Sequence, residues 1–143
     1  MSKKISWLLV AVTLFAVLAG PAVFAQSSTV VKMDVPFEFR VGGQSLPAGE
    51  YCIVPKSPTL INVRSKDGHQ SAIALTNAVQ ATRTSNDGKL VFNRYGNLYF
   101  LAQVWNPGED VGRKVIQSKV EQEVAAVSPS TEMTILIAGK IKK

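Results

Sequence analysis

The sequence predicts a mainly β domain, either a single antiparallel sandwich or a partly open barrel, with one short helix in its C-terminal half. Three observations support this fold class. Apolar and polar residues alternate over residues 31–41, turn signals containing Gly or Pro recur at short intervals after them, and a helix-capping pattern occurs at residues 118–121. Short strands separated by regular turns are typical of an antiparallel meander.

The first 25 residues have the features of a secretory signal peptide. Two lysines precede an apolar run over residues 7–19, and Val23 and Ala25 occupy the −3 and −1 positions of a cleavage site. Residues 5–25 together reach a marginal length for a membrane-spanning helix, which leaves an uncleaved N-terminal anchor as the alternative, but the apolar run itself is shorter than the roughly 20 residues that such a helix needs. We therefore expect cleavage after Ala25, export to the periplasm or the cell exterior, membrane contact only before cleavage, and one β-rich domain over residues 26–143.

The charge pattern does not indicate a nucleic-acid partner. The chain has 16 basic and 10 acidic residues, a net charge of +6, and no run of about five or more like charges. Three lysines, Lys140, Lys142 and Lys143, form a basic end. We expect this end to be solvated, and its alternative role is a salt-sensitive attachment to anionic envelope polymers or lipid headgroups.

Residues 31–41 carry the clearest strand pattern. Six apolar side chains alternate with charged or polar ones, which places one face on a core and the other in water. Pro36 is among the outward positions and lacks a backbone N–H, so the strand is expected to lie at a sheet edge or to bend there. Residues 42–49 follow as a Gly- and Pro-containing loop without the features of a phosphate-binding loop.

The next segments are predicted to be strands joined by tight turns. Residues 50–54 and 60–64 are separated by Pro55 and Pro58, and residues 66–69 form a hairpin turn that leads into a strand over 71–77. A similar signal at 86–88 precedes a strand over 89–94. A turn at 95–97 leads into a strand over 98–105, and 106–108 ends that strand.

The helix and the last strand complete the prediction. Ser118 and Glu121 form a capping box, in which each side chain bonds the other residue's backbone N–H, and valines follow at helical spacing up to Val127. We expect this helix to cover an opening of the sheet. Residues 133–138 are almost continuously apolar, which predicts a centrally paired strand buried on both faces.

The residue types give no catalytic, metal or cofactor site. His69 is the only histidine and lies in a predicted turn, and Cys52 is the only cysteine, so neither a zinc-type ligand cluster nor an intrachain disulfide is supported. Cys52 lies in an apolar strand and is expected to be a buried, inert thiol. An enzymatic alternative uses His69 with a carboxylate such as Asp67 or Glu50.

The densest group of unusual side chains lies in residues 94–105. Arg94, Tyr95, Tyr99 and Trp105 are the candidate ligand-binding residues, because aromatic rings and a guanidinium on one hairpin can stack against sugar rings or a peptide. The structural alternative is that alternate aromatic rings fill the core while Tyr and Arg side chains pair across strands on the outside.

Three segments carry a resemblance: PFEFRVGGQSLPAGEY at 36–51, NRYGNLYFLAQVW at 93–105 and GRKVIQSKVEQEVA at 112–125. Together they resemble a group of small secreted proteins encoded many times over in acidobacterial-type genomes. The resemblance implies export and a β fold. It implies no activity, cofactor or catalytic residue.

The leading hypothesis is an exported, non-enzymatic β domain that binds or structures an envelope polymer or a protein partner. The first alternative is a hydrolase or isomerase that acts on envelope material through His69. The second is a subunit whose edge strand at residues 31–41 is completed by a strand of a partner protein.

Overall fold

The computed structural model describes residues 30–83 and 86–137. The expected signal peptide, the basic end and Ala138 lie outside these residues. In chain order, the described elements are β1 (Val31–Val35), β2 (Phe39–Val41), β3 (Gln44–Leu46), β4 (Gly49–Ser57), β5 (Leu60–Ser65), β6 (Ser71–Gln80), β7 (Gly88–Tyr95), β8 (Leu98–Trp105), β9 (Val111–Val115), α1 (Lys119–Val127) and β10 (Thr131–Ile137). The prediction of a mainly β chain with one helix in this part is confirmed.

The strands form one open sheet. Antiparallel ladders join β1, β4, β5, β6, β9, β8, β7 and β10 in that order. The first and last strands of this path, β1 and β10, have Cα atoms within 8 Å of each other but no ladder between them. The sheet therefore curls around its core without closing.

The β2–β3 hairpin fills a gap in this sheet. β9 pairs only with the C-terminal half of β6. The turn of the β2–β3 hairpin lies next to the N-terminal half of β6, and β2 pairs with β8 in parallel at Arg40 and Phe100. Gly42 in the turn has φ +56° and packs so closely that a Cβ would lie 2.3 Å from the carbonyl oxygen of Ile73. Only a residue without a side chain fits this contact.

The predicted strand over residues 31–41 is divided into β1 and β2 by a bend at Pro36. The expected alternation is confirmed in both halves, since the inward side chains of Val31, Met33, Val35, Phe39 and Val41 are buried. Because β1 is also the terminal strand of the pairing path, Pro36 both follows an edge strand and marks a bend. The expected loop over 42–49 contains the short strand β3.

Two predicted hairpin turns are confirmed. Gly68 (φ +79°) lies in the turn between β5 and β6, and Gly96 (φ +61°) lies in the turn between β7 and β8. β4 is longer than expected, because it continues through Pro55 with an irregularity in its pairing before Ser57.

The turn signal at residues 86–88 does not form a hairpin, so the expected continuous meander is wrong at this point. β6 pairs with β9 instead of β7. Gly88 is the first residue of β7 and has no positive φ. A Cβ at Gly88 would lie 3.0 Å from Cδ of Pro107, so this glycine permits close packing between chain segments instead of a reversal of the chain.

The helix begins at the predicted cap, but only half of the capping box forms. The Ser118 hydroxyl accepts from the Glu121 backbone N–H at 3.2 Å, whereas the Glu121 side chain points into the protein and is 4% exposed. Val120 and Val124 are half-buried, and Val127 is 84% exposed, so α1 contacts the sheet mainly through its first turn. Within the described ranges, no helix is long and apolar enough to cross a bilayer.

The expectation of a central final strand is wrong. In the described part of the chain, β10 pairs with β7 alone and is a terminal strand of the sheet. Met133 is half-buried, and the side chains of residues 134–137, which would test burial on both faces, are not among those described.

One core occupies the concave side of the sheet. Nearly all strands contribute, and its largest fully buried apolar side chains are Phe39, Phe92, Leu46, Ile61, Leu90, Val35, Val41 and Val63. Burying each side chain of this kind contributes about 1.5–3 kcal/mol. A second, smaller cluster of Val91, Ala102 and Trp105 lies apart from this core.

Candidate functional site

The four candidate residues do not form one surface. Tyr95 and Trp105 are only 4% and 8% exposed, and they lie at opposite ends of the β7–β8 hairpin. Arg94 is exposed and Tyr99 is half-buried, and these two are directly opposite each other in the ladder. The structure therefore brings together one pair of the four.

Tyr95 holds the helix against the sheet. Its hydroxyl donates to Oε1 of Glu121 at 3.2 Å, and its ring meets Phe100 edge-on with centroids 5.6 Å apart. Burial and, to a lesser degree, the neighbouring Glu121 carboxylate raise the pKa of the Tyr95 phenol. These contacts give Tyr95 a structural role that requires no ligand.

Trp105 is a packing residue of the second cluster. Its ring lies against Gly112 of β9, where a Cβ would come within 2.5–2.8 Å of three ring carbons. The indole N–H donates to Oε1 of Gln103 at 2.9 Å, and Nζ of Lys89 lies 5.3 Å from the ring centroid. Little of the indole remains for contact with a ligand.

Arg94 and Tyr99 continue into an aromatic stack that contains Phe37. The rings of Phe37 and Tyr99 are stacked with centroids 4.0 Å apart and planes at 21°, and the Arg94 guanidinium lies 5.5 Å from the Tyr99 centroid. Nε of Arg94 donates to the Gly96 carbonyl at 2.7 Å, which fixes the guanidinium in place. We call Phe37, Arg94 and Tyr99 the aromatic mouth.

Sequence reasoning did not find Phe37 as a member of this group. The alternation over residues 31–41 assigned it to the core, but the bend that follows Pro36 leaves it half-buried and next to Tyr99. Pro36 was the available signal, since proline within sheets is confined to edge strands, strand starts and bulges, where a regular alternation is interrupted.

The groups of the enzymatic hypothesis lie at one end of the molecule. Asp67 accepts from the Ser65 hydroxyl at 2.5 Å and from the His69 backbone N–H at 3.0 Å, and the Ser65 hydrogen bond is the main cause of its lowered pKa. Glu50 forms an exposed ion pair with Lys66 at 2.5 Å. That ion pair raises the pKa of the Lys66 ammonium.

An open cleft of about 480 Å³ lies beside these groups, lined in part by Glu50, Asp67 and Gln70. His69 does not line it. Because both carboxylates are already bound by neighbours and the imidazole lies outside the cleft, the arrangement lacks a histidine and carboxylate that face a common substrate position.

A second concave surface lies on the outer face of the sheet, beside the N-terminus of α1. Its volume is about 440 Å³, and polar side chains of five strands and of the β9–α1 connection line it. We call it the polar groove and define it by Asn77, Asn93, Gln103, Lys114, Gln117 and Glu132. Sequence reasoning missed it, because the outward residues of β6, β9 and β8 become neighbours only through the strand order.

Cys52 was expected to be fully buried, but it is half-buried. It is opposite Lys32 on β1 and Arg64 on β5, so the register supplies two cations that the local sequence did not reveal. The described residues contain no group of three or more His, Cys, Asp or Glu side chains that could hold a metal ion.

Comparison with protein-family models, curated proteins and solved structures gave no match. Among the described residues, the aromatic mouth exposes stacked rings with a guanidinium, and the polar groove exposes polar side chains that lack a hydrogen-bond partner there.

Proposed function

We propose that the chain is an exported, non-enzymatic β domain with a binding role in the cell envelope, and that the aromatic mouth contacts its ligand. The observation that carries this proposal is the stack of Phe37, Tyr99 and Arg94. Stacked rings with a guanidinium on one side offer flat apolar area and a hydrogen-bond donor together, which is a suitable contact for sugar rings or for a peptide.

The position of the mouth supports a binding role. Arg94 and Tyr99 belong to a tight hairpin, and the Arg94 side chain is held by the Gly96 carbonyl. A surface that is already ordered loses little conformational entropy when a ligand binds. Tyr99 and Phe37 also pack against the core, so their rings are kept in place from below.

Export remains part of the proposal. The basic start, the apolar run and the Val23 and Ala25 positions support a signal peptide cleaved after Ala25, and the resemblance to small secreted proteins agrees with it. Outside the cytoplasm, the ligand would be an envelope polymer or an envelope protein.

Co-sedimentation tests the binding role. The purified protein, the Tyr99→Ala variant and the Asn97→Ala variant are mixed with peptidoglycan, outer-membrane and polysaccharide fractions at low and high salt. Asn97 is an exposed residue of the same turn without a side-chain hydrogen bond to the described residues, so it is the matched control. We expect wild type and Asn97→Ala to bind one fraction at both salt concentrations and Tyr99→Ala to lose most of this binding.

Two results would contradict the proposal. Binding that disappears at high salt and is equal in all three proteins would assign attachment to the basic end at Lys140, Lys142 and Lys143. No binding to any fraction would remove the support for an envelope ligand.

A second candidate function is a subunit completed by a strand of another protein. The observation that favours it is that β1 is paired with β4 on one side and has no ladder on its other side within the described residues. A strand edge of this kind is a template for strand addition. A complex of defined mass with an envelope protein, weakened by Lys32→Pro at the β1 edge, would support this role.

A further inference from the structure

The polar groove brings together amide and charged side chains from five strands. Two rows of outward side chains cross the sheet here. Asn77, Lys114 and Gln103 form a row across β6, β9 and β8. Asn93 and Glu132 are opposite each other in the ladder between β7 and β10. Gln117, in the segment that leads to α1, closes one side.

Most polar side-chain atoms in this groove have no hydrogen-bond partner in the described part of the chain. The side chains of Asn77, Lys114, Gln117 and Glu132 form no hydrogen bond or ion pair with the residues that the structure describes. The bonds that do occur orient the others. Asn93 donates through Nδ2 to Glu121 at 2.9 Å, which leaves its carbonyl oxygen as an acceptor.

Gln103 is also oriented by a hydrogen bond, but in its side chain the free group is a donor. Its Oε1 accepts from the Trp105 indole at 2.9 Å, which leaves its NH₂ group as a donor. The groove thus offers a fixed acceptor at Asn93 and a fixed donor at Gln103, held by a buried carboxylate and a buried indole. Groups oriented in advance by such contacts bind with a smaller entropic cost.

The residue types in the groove also differ from those that β-strands favour. Asn is depleted in β-strands, and yet Asn77 and Asn93 occupy interior positions of β6 and β7. Asn93 donates to the buried carboxylate of Glu121, whereas the exposed Asn77 side chain has no hydrogen bond to a described residue. A binding role gives a physical reason for an amide at residue 77, where Thr or Val would favour the strand.

We propose that the polar groove is a saccharide-binding site, separate from the aromatic mouth. A hydroxyl group both donates and accepts, and an amide side chain does the same from two adjacent atoms, so amides match the neighbouring hydroxyls of a sugar. The lysine adds a donor and Glu132 adds an acceptor. The volume of about 440 Å³ lies within the range of about 300–1,000 Å³ that is typical of small-ligand sites.

The site is independent of the mouth in position. Asn93 and Arg94 are neighbours in β7 and point to opposite faces of the sheet, so the groove and the mouth lie on opposite sides of the same hairpin. The saccharide site can therefore be tested without disturbing Tyr99.

Nuclear magnetic resonance of the ¹⁵N-labelled full chain tests the proposal, because the NH₂ groups of Asn and Gln give their own signals. The probes are the β-1,4-linked tetramer of N-acetylglucosamine and maltotetraose. We expect at least one of them to shift the NH₂ signals of Asn77, Gln103 and Gln117 in a saturable way. The double variant Asn77→Ala/Gln117→Ala should weaken this binding by about tenfold or more, and the control Asn97→Ala should not.

Both substituted side chains are exposed and form no hydrogen bond to a described residue, so the double variant is expected to keep the fold, and unchanged backbone signals far from the groove check this. Three results would overturn the proposal: no shift with either tetrasaccharide, equal binding by the double variant, or shifts confined to the residues around Tyr99. The last result would leave the mouth as the binding surface, so failure of the groove and failure of the proposed function can be told apart.

Discussion

The carboxylate of Glu121 and the phenol of Tyr95 are joined by a hydrogen bond of 3.2 Å between residues that are 26 positions apart in the chain. Both side chains are buried, and the same carboxylate oxygen also accepts from Asn93. Few apolar contacts hold α1, since Glu121 is its one fully buried residue. The helix is therefore anchored by a polar network, which also forms one wall of the polar groove.

Removing this carboxylate should loosen the helix. We expect Glu121→Ala to lower the free energy of unfolding by about 1–3 kcal/mol, because the buried groups of Tyr95 and Asn93 lose their acceptor. Glu123→Ala, on the exposed side of the same helix, should change it by less than about 0.5 kcal/mol. Urea unfolding followed by circular dichroism measures both. Equal effects of the two substitutions would contradict the anchoring role.

Stability should fall in alkaline solution. Burial raises the pKa values of Tyr95 and Tyr51 above 10.0, so the folded state keeps these protons at a pH where the unfolded chain has begun to lose them. The stabilisation is complete below about pH 10 and is lost as the pH rises through the raised pKa values. Urea midpoints between about pH 8 and pH 11 should show a smaller fall for Tyr95→Phe than for wild type. An identical fall in both proteins would show that Tyr95 does not contribute.

The Thr76 hydroxyl is the buried side-chain group that lacks a hydrogen-bond partner among the described residues, and Thr76 is 0% exposed. Thr76→Val keeps the shape and removes a polar group that pays a desolvation cost. We expect it to leave the free energy of unfolding unchanged or to raise it by up to about 2 kcal/mol. Thr76→Ser, which keeps the hydroxyl and removes a methyl group, should destabilise. A loss of more than about 1 kcal/mol in Thr76→Val would show that the hydroxyl has a partner, such as an internal water molecule.

Adjacent glycines of the β2–β3 turn should respond differently to alanine. Both have positive φ, +56° at Gly42 and +85° at Gly43, so each substitution incurs conformational strain of about 1–2 kcal/mol. Only at Gly42 would the new Cβ also overlap the Ile73 carbonyl, since no atom lies within 4 Å at Gly43. We expect Gly42→Ala to unfold at a clearly lower urea concentration than Gly43→Ala. Equal midpoints would mean that the turn does not pack against β6.

Much of the fold follows from local patterns. The alternation within β1 and β2, the glycine turns at Gly68 and Gly96 and the Ser118 cap have local causes and the predicted structure, whereas Phe37 departs from the alternation. Strand order is not local. The signal at residues 86–88 resembled a turn because Gly permits positive φ, but the same residue also permits the close contact with Pro107 that the structure contains.

The candidate site was less predictable for the same reason. Tyr95 and Trp105 were selected for their side-chain type, but their burial depends on Glu121 and Gly112, which belong to distant segments. Arg94 and Tyr99 could be paired from the hairpin alone, because a tight turn fixes its own register. The polar groove forms only because β9 lies between β6 and β8, and no local pattern indicates this strand order.

The most direct test of the central claim, that this chain acts outside the cytoplasm on envelope material, is intact-protein mass spectrometry after fractionation of the producing cells. We expect a species that begins at Gln26 and is recovered with the envelope fraction, and Tyr99→Ala should move this species into the soluble periplasmic or extracellular fraction. A full-length species that begins at Met1 and is recovered from the cytoplasm would contradict the account.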